Sequence, residues 1–386
     1  MLEINSVPPS ETDREKFHNR LKSAHSRWLS RRPIIEDLIN KRPLLIYGFG
    51  GKGQWLAQHL TKQGKHKFTI FDTSPVKRAL AREQGYEVLD ALRAPERAHY
   101  AVILSACQDQ LGQRGEPWPN YIYYQEASCI LDAPTLENLS GEFQQHVVED
   151  IDALYSVIEM LAPSSRERFI AVLEFRLSLD PADLQATRRP SAAMWLDLTA
   201  TFRRRSYRTL LDVGAFDGDT LETFRRAFDC RRGIAVEANT AMFERIRNIG
   251  AEYAEGVEIL PMAAWSHRTN LVFRDVHAGM IQVEECAQGG LHAAALDDHV
   301  LEPIDIIKMD IEGSEARALT GCARLLKDHR PDLALAAYHK PRDLIEIPAQ
   351  LMELGYDHKY EWHFGHYSDC IDDSIFYVFD IGVRDR

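Results

Sequence analysis

Long apolar runs are missing from this sequence of 386 residues. No stretch approaches the roughly 20 apolar residues that a membrane-spanning helix needs. The segment from Met1 to Lys16 is polar and acidic and has no apolar core, so no signal peptide is expected. Cysteine is sparse and scattered. Cys107, Cys129, Cys230, Cys286, Cys322 and Cys370 form no C-x-x-C pair and have no histidine at ligand spacing, which points to buried thiols in a reducing cytosol. Basic charge is in deficit: the formal net charge of −12 argues against a general affinity for nucleic acid or anionic membrane. The densest basic run, Arg203, Arg204, Arg205 and Arg208, reads as the solvated face of a connector helix. These absences predict a cytoplasmic protein with no membrane span and no nucleic-acid partner. A homo-oligomer is left open.

What is present is ordinary globular composition, 45% apolar and 27% charged, on a chain long enough for at least two domains. Phe17, Leu21, Trp28, Leu29 and Ile35 recur near a 3.6 period, so Glu11 to Asn40 reads as helical, with Pro33 and Pro43 breaking or bounding it. An alternating series follows: strand Leu44–Tyr47, a helix around Trp55–Leu60, strand Phe68–Phe71, helix Val76–Gln84 and strand Ala101–Leu104. Such β-α-β alternation makes a parallel sheet. Tyr121–Tyr124 and Cys129–Leu131 could add one more short strand. From about Leu136 to Arg205 the pattern is helical again, punctuated by Pro163, Pro181 and Pro190. A second alternating series begins at Thr209, with strands at Leu210–Val213, Gly233–Glu237, Val257–Ala264, Asn270–Phe273, Ile304–Asp310, Leu333–Tyr338 and Ser374–Phe379. The expected organisation is an N-terminal helical segment (1–40), a Rossmann-like module (41–135), a helical connector (136–205) and a second Rossmann-like α/β domain (206–386).

Each series carries a glycine loop between a strand and a helix. The first, Gly48-x-Gly50-x-x-Gly53, fits the dinucleotide fingerprint, and Asp72 ends the next strand where an acid would hold a ribose diol. A phosphate could sit on the helix N-terminus above these glycines. The same glycines also permit close strand–helix packing with no ligand at all. The series then stops after three or four strands, and no hydride-transfer acid or base is evident nearby. Nucleotide pocket and structural module stand about even.

The second loop runs from Asp212 through Gly214, Ala215, Phe216, Asp217 and Gly218 to Asp219 and Thr220. Two carboxylates at the rim of a pyrophosphate site would repel the ligand. S-adenosylmethionine has no phosphate; its ammonium and sulfonium are cationic, and its carboxylate can use backbone N–H groups. Gly214 and Gly218 let the backbone approach closely, and Glu237 at the end of the following strand is placed to accept the ribose hydroxyls. Asp212, Ala215, Phe216, Asn239 and Ala264 are counted among the cofactor-contacting positions. The plainer reading of Asp217 and Asp219 is that they cap the next helix.

A third constellation, Lys308-Met309-Asp310-Ile311-Glu312-Gly313-Ser314-Glu315, puts three acids and a lysine at the C-terminal end of a strand, the edge where open α/β sheets bind ligands. Asp310 and Glu312 could steer a substrate hydroxyl, contact the methionine ammonium or hold a divalent metal; with no third convergent ligand visible, no metal is expected. Glu315 reads as the start of a helix. Methyl transfer to oxygen needs alignment and an acceptor for the hydroxyl proton. His339 is the first choice of base and His366 the second, although a lone loop histidine is more often structural.

These residues resemble the FkbM-type methyltransferases. The resemblance runs from about Leu210 to Val378 and rests on the Asp212–Thr220 loop, Val236-Glu237-Ala238-Asn239, Ile307–Glu315 and Tyr338-His339-Lys340-Pro341. Leu161 to Asp180, with Phe175-Arg176-Leu177-Ser178, is similar to the helical lead-in of members that carry an N-terminal Rossmann-like module. The resemblance implies a class I S-adenosylmethionine-dependent methyltransferase fold for 206–386 and usually O-methylation. Its acceptors range from glycans of surface polysaccharides to polyketide-type natural products. Two positions depart from it: Ala238 stands where proline is common, and Gly365 precedes His366-Tyr367 where arginine is expected. The expected function is methylation of a hydroxyl on a sugar, glycan or other small molecule. The alternatives are a bifunctional or oxidoreductase protein whose first module binds NAD or a nucleotide-sugar, and a non-catalytic scaffold.

Overall fold

The computed structural model describes residues 11–64, 66–92, 98–105, 120–131, 140–196, 207–277 and 280–380. Cys107 and the run Arg203 to Arg205 lie outside the described residues. A helix of 31 residues, Glu11–Lys41, opens the description and runs through Pro33 without a break. An internal proline costs about 3 kcal/mol. Trp28, Ile35 and Ile39, buried on either side of it, offset that cost, since each large apolar side chain buried contributes about 1.5–3 kcal/mol. This helix serves two cores. Phe17, Leu21 and Ala24 pack with Leu154, Ile158 and Phe169, whereas Trp28, Ile35 and Ile39 pack with Leu44, Ile46 and Leu60.

The first sheet has β1 (Leu44–Tyr47), β2 (Phe68–Phe71), β3 (Ala101–Leu104) and β4 (Tyr121–Tyr123), all parallel, in the order β2-β1-β3-β4. Cys129–Leu131 is not a strand. Helix Tyr124–Ile130 follows β4 directly, because Glu126 accepts the Tyr123 N–H at 2.9 Å and caps the turn. The buried Glu126 carboxylate also pairs with Arg31 of the long helix.

The connector consists of helices Ser140–Glu149, Ile151–Met160 and Pro163–Ser178, the last with proline in its first turn, where the missing N–H costs nothing. Beyond it, among the described residues, short turns of helix form at Ala182–Gln185 and Ser191–Ala193.

The second large sheet comprises β5 (Thr209–Val213), β6 (Arg232–Val236), β7 (Val257–Leu260), β12 (Ile306–Met309), β13 (Asp332–Ala336), β14 (Tyr360–His366) and β15 (Ser374–Asp380), in the order β14-β15-β13-β12-β5-β6-β7. Here β15 is antiparallel to both its neighbours. Helix Pro163–Ser178 is tied to β14: Arg168 Nη1 donates to Phe364 O at 2.7 Å, and Phe364 N donates to Ser165 Oγ at 3.0 Å. A separate four-stranded sheet holds β8 (Ala263–Ala264), β9 (Thr269–His277), β10 (Met280–Cys286) and β11 (Leu291–Ala294). The fold is thus α/β with two parallel-sheet units, and strands β10 and β11 and the edge strand β14 are additions to the expected series. No described helix is long and apolar enough to cross a membrane.

Candidate functional site

Strands β6 and β12 flank β5 on opposite sides and run parallel to it, so the loops leaving β5, β6, β12 and β13 share one edge, and the chain changes direction across the sheet at β5. That switch point opens a crevice. The Asp212–Thr220 loop stands over it. Gly214 has φ +78°, and a Cβ there would lie 2.0 Å from the carbonyl oxygen of Asp310. Gly218, at φ +87°, precedes helix Asp219–Phe228. Both positions need glycine, one for close approach and both for the left-handed backbone.

Asp212 lies beneath the loop, fully buried, and Lys308 on β12 is its register partner in the neighbouring strand. Lys308 Nζ is 3.0 Å from Asp212 Oδ1 and donates to Gly214 O at 2.7 Å. Burial pushes the Asp212 carboxyl up to about 6 against the pull of Lys308. Burial also works most strongly against the Lys308 ammonium, but the Asp212 and Asp310 charges and the Asp212 hydrogen bond together outweigh it and the lysine is raised. Asp212 therefore supports the loop from below, and Ala215 and Ala264 are likewise buried.

The exposed rim consists of other residues. Glu237 is half-buried; its Oε2 accepts the Phe216 N–H at 2.8 Å and its Oε1 the Asn239 N–H at 2.6 Å, clasping the loops after β5 and β6 together. Phe216 is 60% exposed and has φ +44°. Asn239 Oδ1 accepts from Ala241 N at 3.1 Å. The two aspartates satisfy amides at the helix start: Asp217 Oδ1 accepts from Asp219 N at 3.2 Å while its Oδ2 pairs with Arg245 at 2.7 Å, and Asp219 Oδ1 accepts from Thr220 N at 2.7 Å.

Beyond β12 and β13 a second group converges. His339 is buried, with Nδ1 3.0 Å from Glu315 Oε1 and Nε2 3.5 Å from both Asp310 Oδ1 and Glu312 Oε2. Burial alone would lower this imidazole, but the Glu315 hydrogen bond and the three carboxylate charges raise it to about 10. Glu315 does more than begin a helix: it is 1% exposed, and its Oε1 also accepts from Ile311 N at 2.9 Å. Tyr338 OH donates to Asp310 Oδ1 at 3.3 Å, and burial followed by the Asp310 charge holds the phenol protonated. Asp373 is pushed up to about 6 by burial and then by Asp372 and Asp310.

His339 and Asp310 are thus brought together, and His366 is not. It ends β14, three strands from β12 in the sheet, and is fully buried. Its Nδ1 meets Ser374 Oγ at 2.9 Å while Nε2 has no hydrogen-bond partner, and burial with the Arg176 charge lowers it to about 3. Gly365 is required by packing, since a Cβ there would lie 2.3 Å from Tyr367 Oη.

In the first module Gly48 has φ +105°, and a Cβ on Gly53 would lie 2.0 Å from Gly48 O, so these two glycines let the helix sit on the strand turn. Gly50 caps that helix. Asp72 is 6% exposed, and its two oxygens accept from Phe49 N and Ser74 N, each at 2.7 Å. The helix beginning here faces the second domain: Lys52 Nζ lies 3.5 Å from Asp372 Oδ2, in the loop between β14 and β15. Lys52, Asp372 and Asp373 left no signal in the sequence, whereas Lys308 and Tyr338 stand in the quoted motifs without an assigned role.

Residues 212–366 match the family model described as the methyltransferase FkbM domain. No curated protein matches the chain in sequence. Among solved structures, a methyltransferase FkbM from Methylobacillus flagellatus KT is 18% identical with a TM-score of 0.72, covering 95% of this chain and 100% of its own. That likeness extends the shared fold through the first module. An O-methyltransferase from Bacillus cereus, solved in complex with SAH, is 14% identical with a TM-score of 0.32, covering 64% of this chain and 100% of its own.

Proposed function

We propose that the chain, whose residues 212–366 match the methyltransferase FkbM domain model, is an S-adenosylmethionine-dependent O-methyltransferase acting in the cytoplasm on a hydroxyl of a small-molecule or glycan acceptor. The observation that carries this reading is the charge of the crevice. Glu237, through the Phe216 amide, and Asp310, through its carbonyl against Gly214, border the tight turn, and a cationic ligand suits them where a pyrophosphate would be repelled. Bound S-adenosylmethionine supplies a methyl group activated by its sulfonium. Glu237 would take the ribose hydroxyls through lone pairs left over from its two backbone hydrogen bonds.

At the other side of the crevice Asp310, Tyr338 and His339 would align the acceptor hydroxyl. With its imidazole raised to about 10, His339 already carries a proton at neutral pH. It orients and polarises, and Asp310 is the carboxylate left to receive the hydroxyl proton. The first glycine loop is read as a packing device, because Asp72 is buried and satisfied by its own backbone. Lys52, beside Asp372, would make the first module one wall of the acceptor approach.

Calorimetric titration with S-adenosylhomocysteine and, separately, NAD tests this. Saturable binding of the former, weakened by Glu237→Ala, is expected. Binding of NAD alone would overturn the reading, and binding of neither would favour a scaffold.

A further inference from the structure

We propose that Asp310, Glu312 and His339 form a divalent-metal site at the methyl-transfer edge, with Glu315 orienting His339 from behind. The sequence offers two acids and no third ligand; the return of the chain through β13 supplies it. His339 Nε2 faces Asp310 Oδ1 and Glu312 Oε2, each at 3.5 Å. Ligands about 2.1 Å from a common ion stand roughly 3.0–3.4 Å apart, so each carboxylate is close to the separation at which it would share an ion with Nε2. Asp310, Glu315 and His339 each offer a ligand atom within 4.8 Å of the others.

The support behind the histidine is what a metal site requires. Metal-bound imidazoles usually donate their other N–H to a carboxylate, which fixes the tautomer. Glu315 does this at 3.0 Å and is itself pinned by the Ile311 and Gly313 amides at 2.9 and 3.4 Å. A second observation points the same way: Glu315 Oε2 is buried with no hydrogen-bond partner. With Asp310 and Glu312 it gives one imidazole three carboxylates, a surplus of negative charge that a cation would balance; an ion at Nε2 would displace the proton held there, and Asp310 would then be a ligand in place of a proton acceptor. In front, the Asp310 and Glu312 side chains are 26% and 51% exposed, so the remaining coordination positions open to solvent and acceptor. One imidazole with carboxylates favours a first-row ion such as Mn2+, Fe2+ or Zn2+ over Ca2+ or Mg2+. Its role rests on the methyltransferase reading: an acceptor hydroxyl bound to the ion becomes a stronger acid, and its proton can leave to water past the exposed Glu312.

The test uses the full chain, stripped with a chelator and titrated with Mn2+ while electron paramagnetic resonance follows the free ion. One ion per chain is expected. Glu312→Gln should raise the dissociation constant about 10-fold or more, and His339→Gln should abolish the site. Melting curves check that each variant folds; Glu312 is exposed enough for its variant to be the safe one. No saturable Mn2+ binding, or binding unchanged in folded Glu312→Gln, overturns the proposal. S-adenosylhomocysteine titrated into the same samples separates the two readings. If it binds and Mn2+ does not, the metal site alone fails; if it does not bind, the methyltransferase reading fails.

Discussion

Replacing Lys308 with methionine removes the cation from beneath the cofactor loop while keeping nearly the same volume. Two things are lost: the partner of a fully buried carboxylate, and a donor to the Gly214 carbonyl at 2.7 Å. Breaking a buried pair by removing one member costs about 3–5 kcal/mol, because the other charge is stranded. At about 2 °C or less per kcal/mol for a chain that melts as one large unit, that corresponds to a fall in melting temperature of several degrees. Asp212 would escape part of the cost by staying protonated, which its elevation to about 6 already favours. Adding Asp212→Leu should restore most of the loss, leaving about 1 kcal/mol for the missing donor to Gly214. The cycle is read by differential scanning calorimetry and by S-adenosylhomocysteine affinity on all four proteins. If Lys308→Met melts within about 2 °C of the parent and binds the ligand equally well, the pair is not the strut described above.

Three further outcomes are expected. Gly214→Ala places a Cβ 2.0 Å from Asp310 O at a left-handed φ; it should melt lower and bind S-adenosylhomocysteine at least about 10-fold more weakly by calorimetry. Asp72→Ala strands the amides of Phe49 and Ser74 and should cost about 1–3 kcal/mol while leaving that affinity unchanged; a loss of binding would contradict the packing role of the first loop. His366 is lowered from 6.5 to about 3 in the fold, so the unfolded chain takes up its proton first. Its contribution is therefore full above pH 6.5 and is lost as pH falls towards 3. Between pH 7 and 5, urea midpoints should drop less steeply for His366→Asn than for the parent, and equal slopes would refute the assignment.

The parts of the fold readable from sequence are those where one local rule decides. Four-residue apolar strands bounded by glycine or charge, such as Leu44–Tyr47 and Ile306–Met309, are found where expected. What escaped were decisions made by distant partners. Pro33 signals a break, yet burial on both flanks carries the helix through it. Cys129–Leu131 has the composition of a strand end, but Glu126 and Arg31 turn that segment into helix. At the site, Glu237 and Asp310 could be placed because strand ends announce themselves. Asp212 could not be told from a surface acid, since its burial depends on Lys308, 96 positions later by sequence number. His339 likewise follows β13 while its carboxylate neighbours follow β12, and spacing within either stretch says nothing of the other.

The long helix Glu11–Lys41 has one more consequence. Its first turns belong to the core under the connector and second sheet, and its last turns to the core of the first module. At 1.5 Å per residue its 31 residues reach about 46 Å, so a single rigid rod is embedded in both bodies. Cutting the chain at residue 206 to obtain a minimal catalytic fragment would strip the apolar floor from the half that is kept. The modules are separable as sheets but not as foldable pieces, and a chimera that exchanges the first module for another must carry the rod along with it.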